Sequence, residues 1–268
     1  MQPICAVIPA AGKGTRLYPL TYAVPKELLP LGQYPTIQHV VAEIVAAGIS
    51  DIIIVTAENK DAIRQHFAAL AERGELDATF TYVMQAEQRG LGHAVHTAEA
   101  AVAGRTFVVA LGDAVIVGAG GGELLRRMQT VFERNDADAV VAVHQIAPAA
   151  TVKYGIVAPG QAIGDGVELL DLVEKPEPDA APSNLAICGR YLLKPVIFDY
   201  LTRQAPGIGG EIQITDALAS LARSGGAVYA CPLCEGEKRL DVGDLQTYYQ
   251  AVVELAGPIL DPGDAGPS

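Results

Sequence analysis

The sequence predicts an α/β protein with a mixed, mostly parallel central sheet that helices cover on both faces. Three observations predict this fold. The candidate strands in the first half are continuous apolar runs, as expected for strands buried on both faces. Helical patterns alternate with these runs in a βαβαβ order. A glycine-rich turn directly follows the first run, where the carboxyl end of a strand opens onto the ligand-binding edge of such sheets.

The first half alternates strands with amphipathic helices. Gly48 provides a stop signal after the first helix. A glycine-rich break at 118–122 predicts a mobile loop before the last helix of this half. The predicted strands are 4–10, 51–56, 80–84, 106–111 and 138–146, and the predicted helices are 36–47, 59–73, 91–101 and 123–134.

The second half has shorter strands in loops rich in Pro, Gly and Asp, which predicts a small antiparallel region. No linker separates two units, so we expect a single domain over residues 1–256. Residues 257–268 are rich in Pro, Gly and Asp and predict a flexible tail. The predicted strands are 154–157, 169–173 and 186–193, and the predicted helices are 214–223 and 244–256.

Composition excludes several classes of function. The chain has 268 residues and a formal net charge of −12, and it lacks blocks of Lys and Arg, which argues against binding nucleic acid or anionic membranes. No segment is long and apolar enough to span a bilayer, and the start has no signal-like pattern, so we expect a cytoplasmic protein. The lone CxxC at 231–234 predicts ordinary thiols rather than a zinc or redox site.

The turn after the first strand carries the first candidate site. Gly12 and Gly14 allow the backbone to approach an anion closely, and Arg16 and Lys26 add positive charge in an acidic chain. The dinucleotide fingerprint needs a glycine where Leu17 stands, and the spacing of the ATP-binding P-loop is also absent. The pattern therefore indicates a phosphate site of another kind.

Two further strand ends face the same crevice. Asp113 directly follows a buried strand, where a carboxylate fits a magnesium ion that also holds phosphates, or a simple turn cap. Gln85 follows another strand, and its amide can both donate to and accept from a base. Gly90 permits close approach beside it, whereas His93 on the next helix is more typical of a structural residue than of a general base.

The second half supplies Glu174 and Lys175 at the end of an apolar segment, and Asp241 before the last helix. Adjacent side chains on an extended segment point to opposite sides, so Lys175 would reach phosphates while Glu174 turns toward sugar hydroxyls, or the reverse if the strand bends. Neither a Ser-His-Asp nor a Cys-His arrangement is apparent, and no cluster of metal-binding histidines. Phosphoryl and nucleotidyl transfers fit this absence, because they rely on positioning and charge neutralisation.

Taken together, these segments resemble the sugar-1-phosphate nucleotidylyltransferases, from about residue 4 to residue 254. Within the family the chain is most similar to the bacterial uridylyltransferase subgroup that acts on UTP and glucose 1-phosphate. The family motifs are at 10–16, 25–30, 111–113 and 173–176. The segments typical of the subgroup are at 85–87, 90–94, 181–186, 189–191 and 210–217.

The resemblance implies a Rossmann-like nucleotidyltransferase fold and a Mg²⁺-assisted reaction of UTP with glucose 1-phosphate, giving UDP-glucose and pyrophosphate. It also implies a homo-oligomer, either a dimer or a tetramer. Lys175, the catalytic residue on the sugar side, would hold the sugar phosphate, and Asp113 the metal. The other implied residues are Arg16 and Lys26 as catalytic cations, Ala10, Ala11, Gly12, Gly14, Thr15, Gln85, Gly90 and Asp113 for the nucleotide, and Gly155 and Glu174 for the sugar.

The chain departs from the subgroup at two places. Gly112 precedes Asp113 where the subgroup usually has Pro before a pair of aspartates, and Asp241 stands in a segment closer to the thymidylyltransferase form. Asp241 is therefore a candidate second metal ligand. Two alternatives remain open at this point, a thymidylyltransferase that uses dTTP and a catalytically silent module that binds a nucleotide sugar.

Overall fold

The computed structural model describes residues 4–118 and 120–256. Within these ranges, none of the helices is long and apolar enough to cross a membrane. The strands are β1 Cys5–Pro9, β2 Pro30–Leu31, β3 Tyr34–Pro35, β4 Asp51–Thr56, β5 Thr79–Met84, β6 Phe107–Ala110, β7 Ala114–Val117, β8 Ala139–Gln145, β9 Gly155–Ile163, β10 Gly166–Glu174, β11 Leu185–Leu193, β12 Val228–Pro232 and β13 Lys238–Asp241.

Helices occupy most of the chain between these strands. They are α1 Thr36–Ala46, α2 Asp61–Glu72, α3 Leu91–Thr97, α4 Glu99–Val102, α5 Glu123–Arg134, α6 Ile197–Arg203, α7 Ile214–Arg223 and α8 Leu245–Ala256. Five 3₁₀ segments join them in the described ranges, at Thr15–Leu17, Lys26–Leu28, Pro148–Lys153, Pro178–Ala180 and Ile208–Gly210.

The central sheet of the described residues has nine strands in the order β5-β4-β1-β6-β11-β8-β12-β10-β9. Strands β5, β4, β1 and β6 are parallel neighbours, and so are β8 and β12. Strand β11 runs antiparallel to both β6 and β8, and β9 and β10 form an antiparallel hairpin at one edge. The predicted α/β fold with a mixed sheet and an antiparallel region is confirmed.

Two cores cover the two faces of this sheet, because successive side chains of a strand point to opposite faces. In β4, Ile52 and Ile54 belong to the core beneath α1, α2 and α5, whereas Ile53 and Val55 belong to the core beneath α3, α6 and α7. This is why β4 is apolar at nearly every position. A smaller third cluster holds α8 against the turn that follows β1.

The structure differs from the sequence prediction in both halves of the chain. The predicted strands 154–157 and 169–173 are longer in the structure and pair with each other as β9 and β10. The predicted helix 91–101 is divided into α3 and α4. Helix α6 and the short strands β2, β3, β7 and β13 were not predicted, and β7 and β13 form a separate two-stranded sheet. The predicted tail at 257–268 lies outside the described residues.

The topology brings four loops to one edge of the sheet. These loops follow β1, β4, β5 and β6, whose parallel carboxyl ends lie side by side. The end of β10 and the β7–β13 pair complete the far wall of the same cleft. The candidate site lies at this edge, as expected for an open α/β sheet.

Candidate active site

The loop after β1 forms the first wall of the cleft. Ala10 and Ala11 are buried, whereas Gly12, Thr15 and Arg16 are exposed. Gly14 has a φ of 68°, a left-handed conformation that favours glycine, and it precedes the 3₁₀ segment Thr15–Leu17. Thr21 Oγ1 donates a hydrogen bond of 2.8 Å to the Gly14 carbonyl and fixes this turn. The loop therefore presents exposed backbone and the Arg16 guanidinium to the cleft.

Lys26 and Asp113 form an ion pair at the centre of the cleft, with Lys26 Nζ donating to Asp113 Oδ2. Burial alone would lower the pKa of Lys26, but the negative charges of Asp113 and Glu27 outweigh it and raise this pKa. Burial alone would raise the pKa of Asp113, but the charge and hydrogen bond of Lys26 hold it below its usual range. Both groups are therefore charged at neutral pH.

A second, deeper ion pair lies behind the first. Glu27 is 1% exposed and Lys60 is 6% exposed, and Lys60 Nζ donates to both carboxylate oxygens of Glu27 at 3.0 and 2.8 Å. The same ammonium donates to the Ala10 carbonyl at 2.6 Å. Burial raises the pKa of Glu27 and lowers that of Lys60, so each group depends on its partner for its charge. Sequence analysis did not identify this pair.

The loop after β5 forms the side of the cleft nearest the glycine-rich loop. Gln85 is buried, and its Nε2 donates a 2.8 Å hydrogen bond to His93 Nδ1. Burial lowers the pKa of His93, so the ring is neutral and can accept this bond. His93 thus orients Gln85, in agreement with its predicted structural role. Gln88, which sequence analysis missed, donates from Nε2 to the Ala11 carbonyl at 2.6 Å.

Gly90 occupies a position that only glycine fits. Its φ is 101°, and a Cβ atom there would lie 2.7 Å from both the Glu211 Cβ and the Ile212 carbonyl oxygen. Ile212 donates its N–H to the Arg89 carbonyl at 2.7 Å. The close contact therefore joins the loop after β5 to the segment that precedes α7.

The wall opposite the glycine-rich loop carries Glu174 and Lys175. Strand β10 ends at Glu174, and Lys175 has a φ of 46°, so the chain turns sharply between the two residues. Both side chains line the same cleft, and Lys175 Nζ lies 3.5 Å from Glu174 Oε1. The prediction that they point to opposite sides is therefore wrong, because the left-handed residue breaks the alternation of the strand.

Gly155 and Thr215 hold Glu174 in place. Thr215 Oγ1 donates a 2.7 Å hydrogen bond to Glu174 Oε2. A Cβ atom at Gly155 would lie 2.8 Å from the Thr215 hydroxyl and 3.2 Å from Glu174 Oε2. Glycine at 155 therefore makes room for a carboxylate that is fixed in one orientation. Thr215 was not among the predicted site residues.

Two carboxylates meet where β7 and β13 pair. The Val242 N–H donates to the Asp113 carbonyl at 2.8 Å, which places Asp241 beside Asp113. Burial and the charge of Asp113 raise the pKa of Asp241, although Arg239 opposes this shift. Two neighbouring carboxylates that repel each other fit a divalent cation, whose charge would remove the repulsion. Among the described residues, no group of three or more His, Cys, Asp or Glu converges, so a cation here would also need ligands from phosphate or water.

The two walls enclose one continuous cleft. The part beside the glycine-rich loop has a volume of about 540 Å³ and the part beside Glu174 about 380 Å³. Arg16, Asp113 and Glu211 line both parts. All the predicted site residues except Ala10 line one part or the other: Ala11, Gly12, Gly14, Thr15, Arg16, Lys26, Gln85, Gly90, Asp113, Gly155, Glu174, Lys175 and Asp241.

This arrangement is suited to a reaction between two phosphates. Cations stand on both walls, and the acidic pair lies between them. Burial raises the pKa of Cys188 to about 12 and that of Cys231 to about 11, so neither is a nucleophilic thiolate at neutral pH. The cleft can therefore position two anions and neutralise their charge, which is the main catalytic requirement of phosphoryl transfer.

Comparison with known proteins identifies the family. The sequence profile of the family described as "Nucleotidyl transferase" matches residues 5–257. Two UTP–glucose-1-phosphate uridylyltransferases of Staphylococcus saprophyticus are 42% and 44% identical to the chain. Each alignment covers 94% of this chain, and 91% and 92% of the respective relatives.

Solved structures agree with this assignment. The structure of a UDP-glucose pyrophosphorylase complexed with UDP-glucose matches with a TM-score of 0.87 and 35% identity, over 94% of this chain and 97% of the other. The structure of a UTP-bound enzyme of the same kind from Acinetobacter baumannii matches with a TM-score of 0.82 and 32% identity, over 97% and 96% of the two chains. The chain therefore belongs to the nucleotidyl transferase family, with the UTP–glucose-1-phosphate uridylyltransferases among its relatives.

Proposed function

We propose that this chain transfers a uridylyl group from UTP to glucose 1-phosphate and releases pyrophosphate. A phosphate oxygen of the sugar phosphate attacks the α-phosphorus of UTP. The new P–O bond gives UDP-glucose, and the bond to the bridging oxygen breaks with its electron pair leaving on pyrophosphate. The observation that carries the proposal is the single cleft, which joins a glycine-rich phosphate loop to a second wall with its own cation.

The nucleotide occupies the part of the cleft beside the glycine-rich loop. Ala11 and Gly12 meet the uracil through their backbone, and Gln85 and Gly90 complete the base pocket. The triphosphate follows the loop past Gly14 and Thr15. The structure supports this placement because the exposed backbone, the oriented Gln85 amide and the loop lie on one side of the cleft.

Two cations act on the triphosphate. Arg16 is exposed at the mouth of both parts of the cleft, and it stabilises the negative charge that develops on the leaving pyrophosphate. Lys26 neutralises the phosphates nearer the α-phosphorus. Its ion pair with Asp113 keeps it charged and points it into the cleft before any substrate binds.

Glucose 1-phosphate occupies the part beside Glu174. Glu174 is fixed by Thr215 and accepts hydrogen bonds from the sugar hydroxyls, and the Gly155 backbone contacts the ring. Lys175 binds the sugar phosphate and holds its oxygen toward the α-phosphorus. Because the attacking group is already an anion, the reaction needs no side-chain base.

We further propose that Asp113 and Asp241 hold a magnesium ion together with the nucleotide phosphates. The two adjacent carboxylates fit such an ion, and hard oxygen ligands are the ones that magnesium prefers. When bound, the ion would neutralise phosphate charge during the transfer. Lys26 pairs with Asp113 and Arg239 with Asp241 in the structure.

The alternatives are less well supported. A thymidylyltransferase is not favoured, since the curated relatives carry names that specify UTP. A catalytically silent module is not favoured either, because Arg16, Lys26, Asp113 and Lys175 are all present and line the cleft. We also propose that residues 1–256 act as one catalytic domain and that the enzyme is a homo-oligomer, as the sequence resemblance implies.

The test is magnesium-dependent pyrophosphate release with glucose 1-phosphate and each of UTP, dTTP, CTP, GTP and ATP. The proposal predicts the highest kcat/KM with UTP, and no release when either the sugar phosphate or magnesium is omitted. Release that does not depend on glucose 1-phosphate would indicate hydrolysis and reject the proposal. A higher kcat/KM with dTTP would instead favour the thymidylyltransferase.

A further inference from the structure

Arg239 is a buried cation in the sugar-side part of the cleft, and neither the sequence motifs nor the comparisons assign it a role. It lies on β13, two residues before Asp241, and its side chain is 8% exposed. A guanidinium carries five N–H donors. Within the described residues, Nη2 bonds Asp241 at 3.2 Å, Nη1 reaches the Ile187 carbonyl only at 3.5 Å, and Nε has no partner. A buried charge with unused donors is costly unless a ligand completes it.

A structural arginine in the same protein shows the contrast. Arg190 is fully buried, and all three of its nitrogens are bonded. Nε and Nη2 bond the Glu43 carboxylate, and Nη1 and Nη2 bond two backbone carbonyls at 3.0 and 2.9 Å. Among residues 4–118 and 120–256, Arg239 has no comparable set of partners, so its donors are available to a ligand that enters the cleft.

Tyr154 holds Arg239 in a fixed orientation. The guanidinium lies over the Tyr154 ring, 4.8 Å from its centroid. The Tyr154 carbonyl also accepts a 3.0 Å hydrogen bond from the N–H of Lys175. Tyr154 therefore contacts two of the cations in this part of the cleft, Arg239 through its ring and Lys175 through its backbone carbonyl. Arg16 and Lys153 also line this part.

The side chains that line this part of the cleft carry more negative than positive charge. Among the described residues, five carboxylates would repel a phosphate dianion, against four cations: Asp113, Glu174, Glu211, Asp241 and Asp244, and Arg16, Lys153, Lys175 and Arg239. Of these cations, Arg16 serves the leaving pyrophosphate in the proposed function, and Lys153 is exposed. Lys175 is 3.5 Å from Glu174, and Lys26 is bonded to Asp113. Arg239 is thus a cation with unused donors, and its planar fork matches two phosphate oxygens.

We propose that Arg239 binds the phosphate of the sugar phosphate together with Lys175. This inference rests on the proposed function, because it assigns a ligand contact within the same site. Arg239 supplies directional hydrogen bonds to the phosphate oxygens, whereas Lys175 supplies a mobile point charge. The contact determines affinity for the sugar phosphate and leaves affinity for the nucleotide unaffected.

The test compares Arg239→Met and Arg239→Lys with the unmodified protein in steady-state assays at saturating magnesium. For Arg239→Met we expect the KM for glucose 1-phosphate to rise about 10- to 100-fold, the effect of losing charged hydrogen bonds, with the KM for UTP nearly unchanged. Arg239→Lys should recover part of the loss, because it restores charge without the fork. Arg105→Met is the control, since Arg105 pairs with Asp51 outside the cleft and should leave both constants unchanged.

Titration calorimetry with glucose 1-phosphate separates this inference from the proposed function. If the unmodified protein binds glucose 1-phosphate and Arg239→Met binds it at least about tenfold more weakly, the inference is supported. If Arg239→Met and Arg239→Lys bind it normally, or if the KM values for both substrates rise together, Arg239 is structural and the inference fails. If the unmodified protein neither turns over nor binds glucose 1-phosphate, the proposed function fails and the inference with it.

Discussion

The buried ion pair of Glu27 and Lys60 allows an unusual prediction, in which a second substitution restores part of the stability that the first one removes. Lys60→Met should strongly destabilise the fold, and adding Glu27→Gln to it should recover part of the loss. Lys60 is 6% exposed and donates to two carboxylate oxygens and one carbonyl. Its removal leaves the Glu27 charge in a site that is 1% exposed. Breaking a buried ion pair in this way costs about 3–5 kcal/mol.

The second substitution removes the uncompensated charge rather than a further interaction. We therefore expect Lys60→Met/Glu27→Gln to be more stable than Lys60→Met by about 1–2 kcal/mol. The effect depends on pH. Burial raises the pKa of Glu27 in the folded protein, and loss of Lys60 raises it further, while the unfolded value remains ordinary. A carboxyl with a raised folded pKa destabilises the fold above that pKa, so the deficit of Lys60→Met should shrink as the pH falls toward the unfolded value.

Urea unfolding at pH 8 and pH 5 measures these differences, provided that the m-values of the variants agree. The matched control is Lys238→Met, which breaks an ion pair with Glu254 in which both side chains are largely exposed and should cost about 0–1 kcal/mol. Two results would refute the reasoning. One is a Lys60→Met variant as stable as this control, and the other is a double variant less stable than Lys60→Met alone.

Three further predictions concern the cleft. Lys175→Ala should lower kcat roughly 100-fold. Because its side chain is partly exposed, the same variant should change the free energy of unfolding by about 0.5 kcal/mol or less. The control variant Lys238→Ala should keep normal turnover, and near-normal turnover of Lys175→Ala would remove Lys175 from the site. Asp241→Asn should raise the magnesium concentration for half-maximal rate roughly tenfold, and an unchanged magnesium titration would exclude Asp241 as a ligand. In urea unfolding, Gly90→Ala should destabilise the fold by about 2 kcal/mol more than Gly104→Ala. Both glycines have a positive φ, but of the two only Gly90 has a neighbouring atom within 3 Å of the added Cβ. Equal losses of stability would refute the contact.

Much of the fold follows from local patterns in the sequence. The continuous apolar runs of β1, β4 and β6 predicted the parallel half of the sheet, since strands buried on both faces need no alternation. The glycine-rich loop and Asp113 were found because strand ends in such a sheet share one edge. These features need only the residues of each segment and the rule that joins them.

The parts that sequence analysis missed depend on distant contacts. Lys60 is 33 residues from Glu27, and only the folded chain shows that it bonds both Glu27 and the Ala10 carbonyl. Strand β13 is four residues long and pairs with the equally short β7, which is too little for an alternation pattern. Arg239 was therefore not among the predicted site residues, although its charge so close to Asp241 was a usable signal. The sharp turn at Lys175 was equally hidden, because a left-handed conformation at a lysine has no sequence signature.

The most direct test of the account is an internal competition. The enzyme is given equal concentrations of UTP and dTTP with glucose 1-phosphate and magnesium, and the nucleotide sugars formed are separated and quantified at low conversion, so that their ratio equals the ratio of kcat/KM values. The account predicts that UDP-glucose predominates and that pyrophosphate forms in equal amount to the total nucleotide sugar. Predominance of dTDP-glucose, or pyrophosphate without nucleotide sugar, would contradict it.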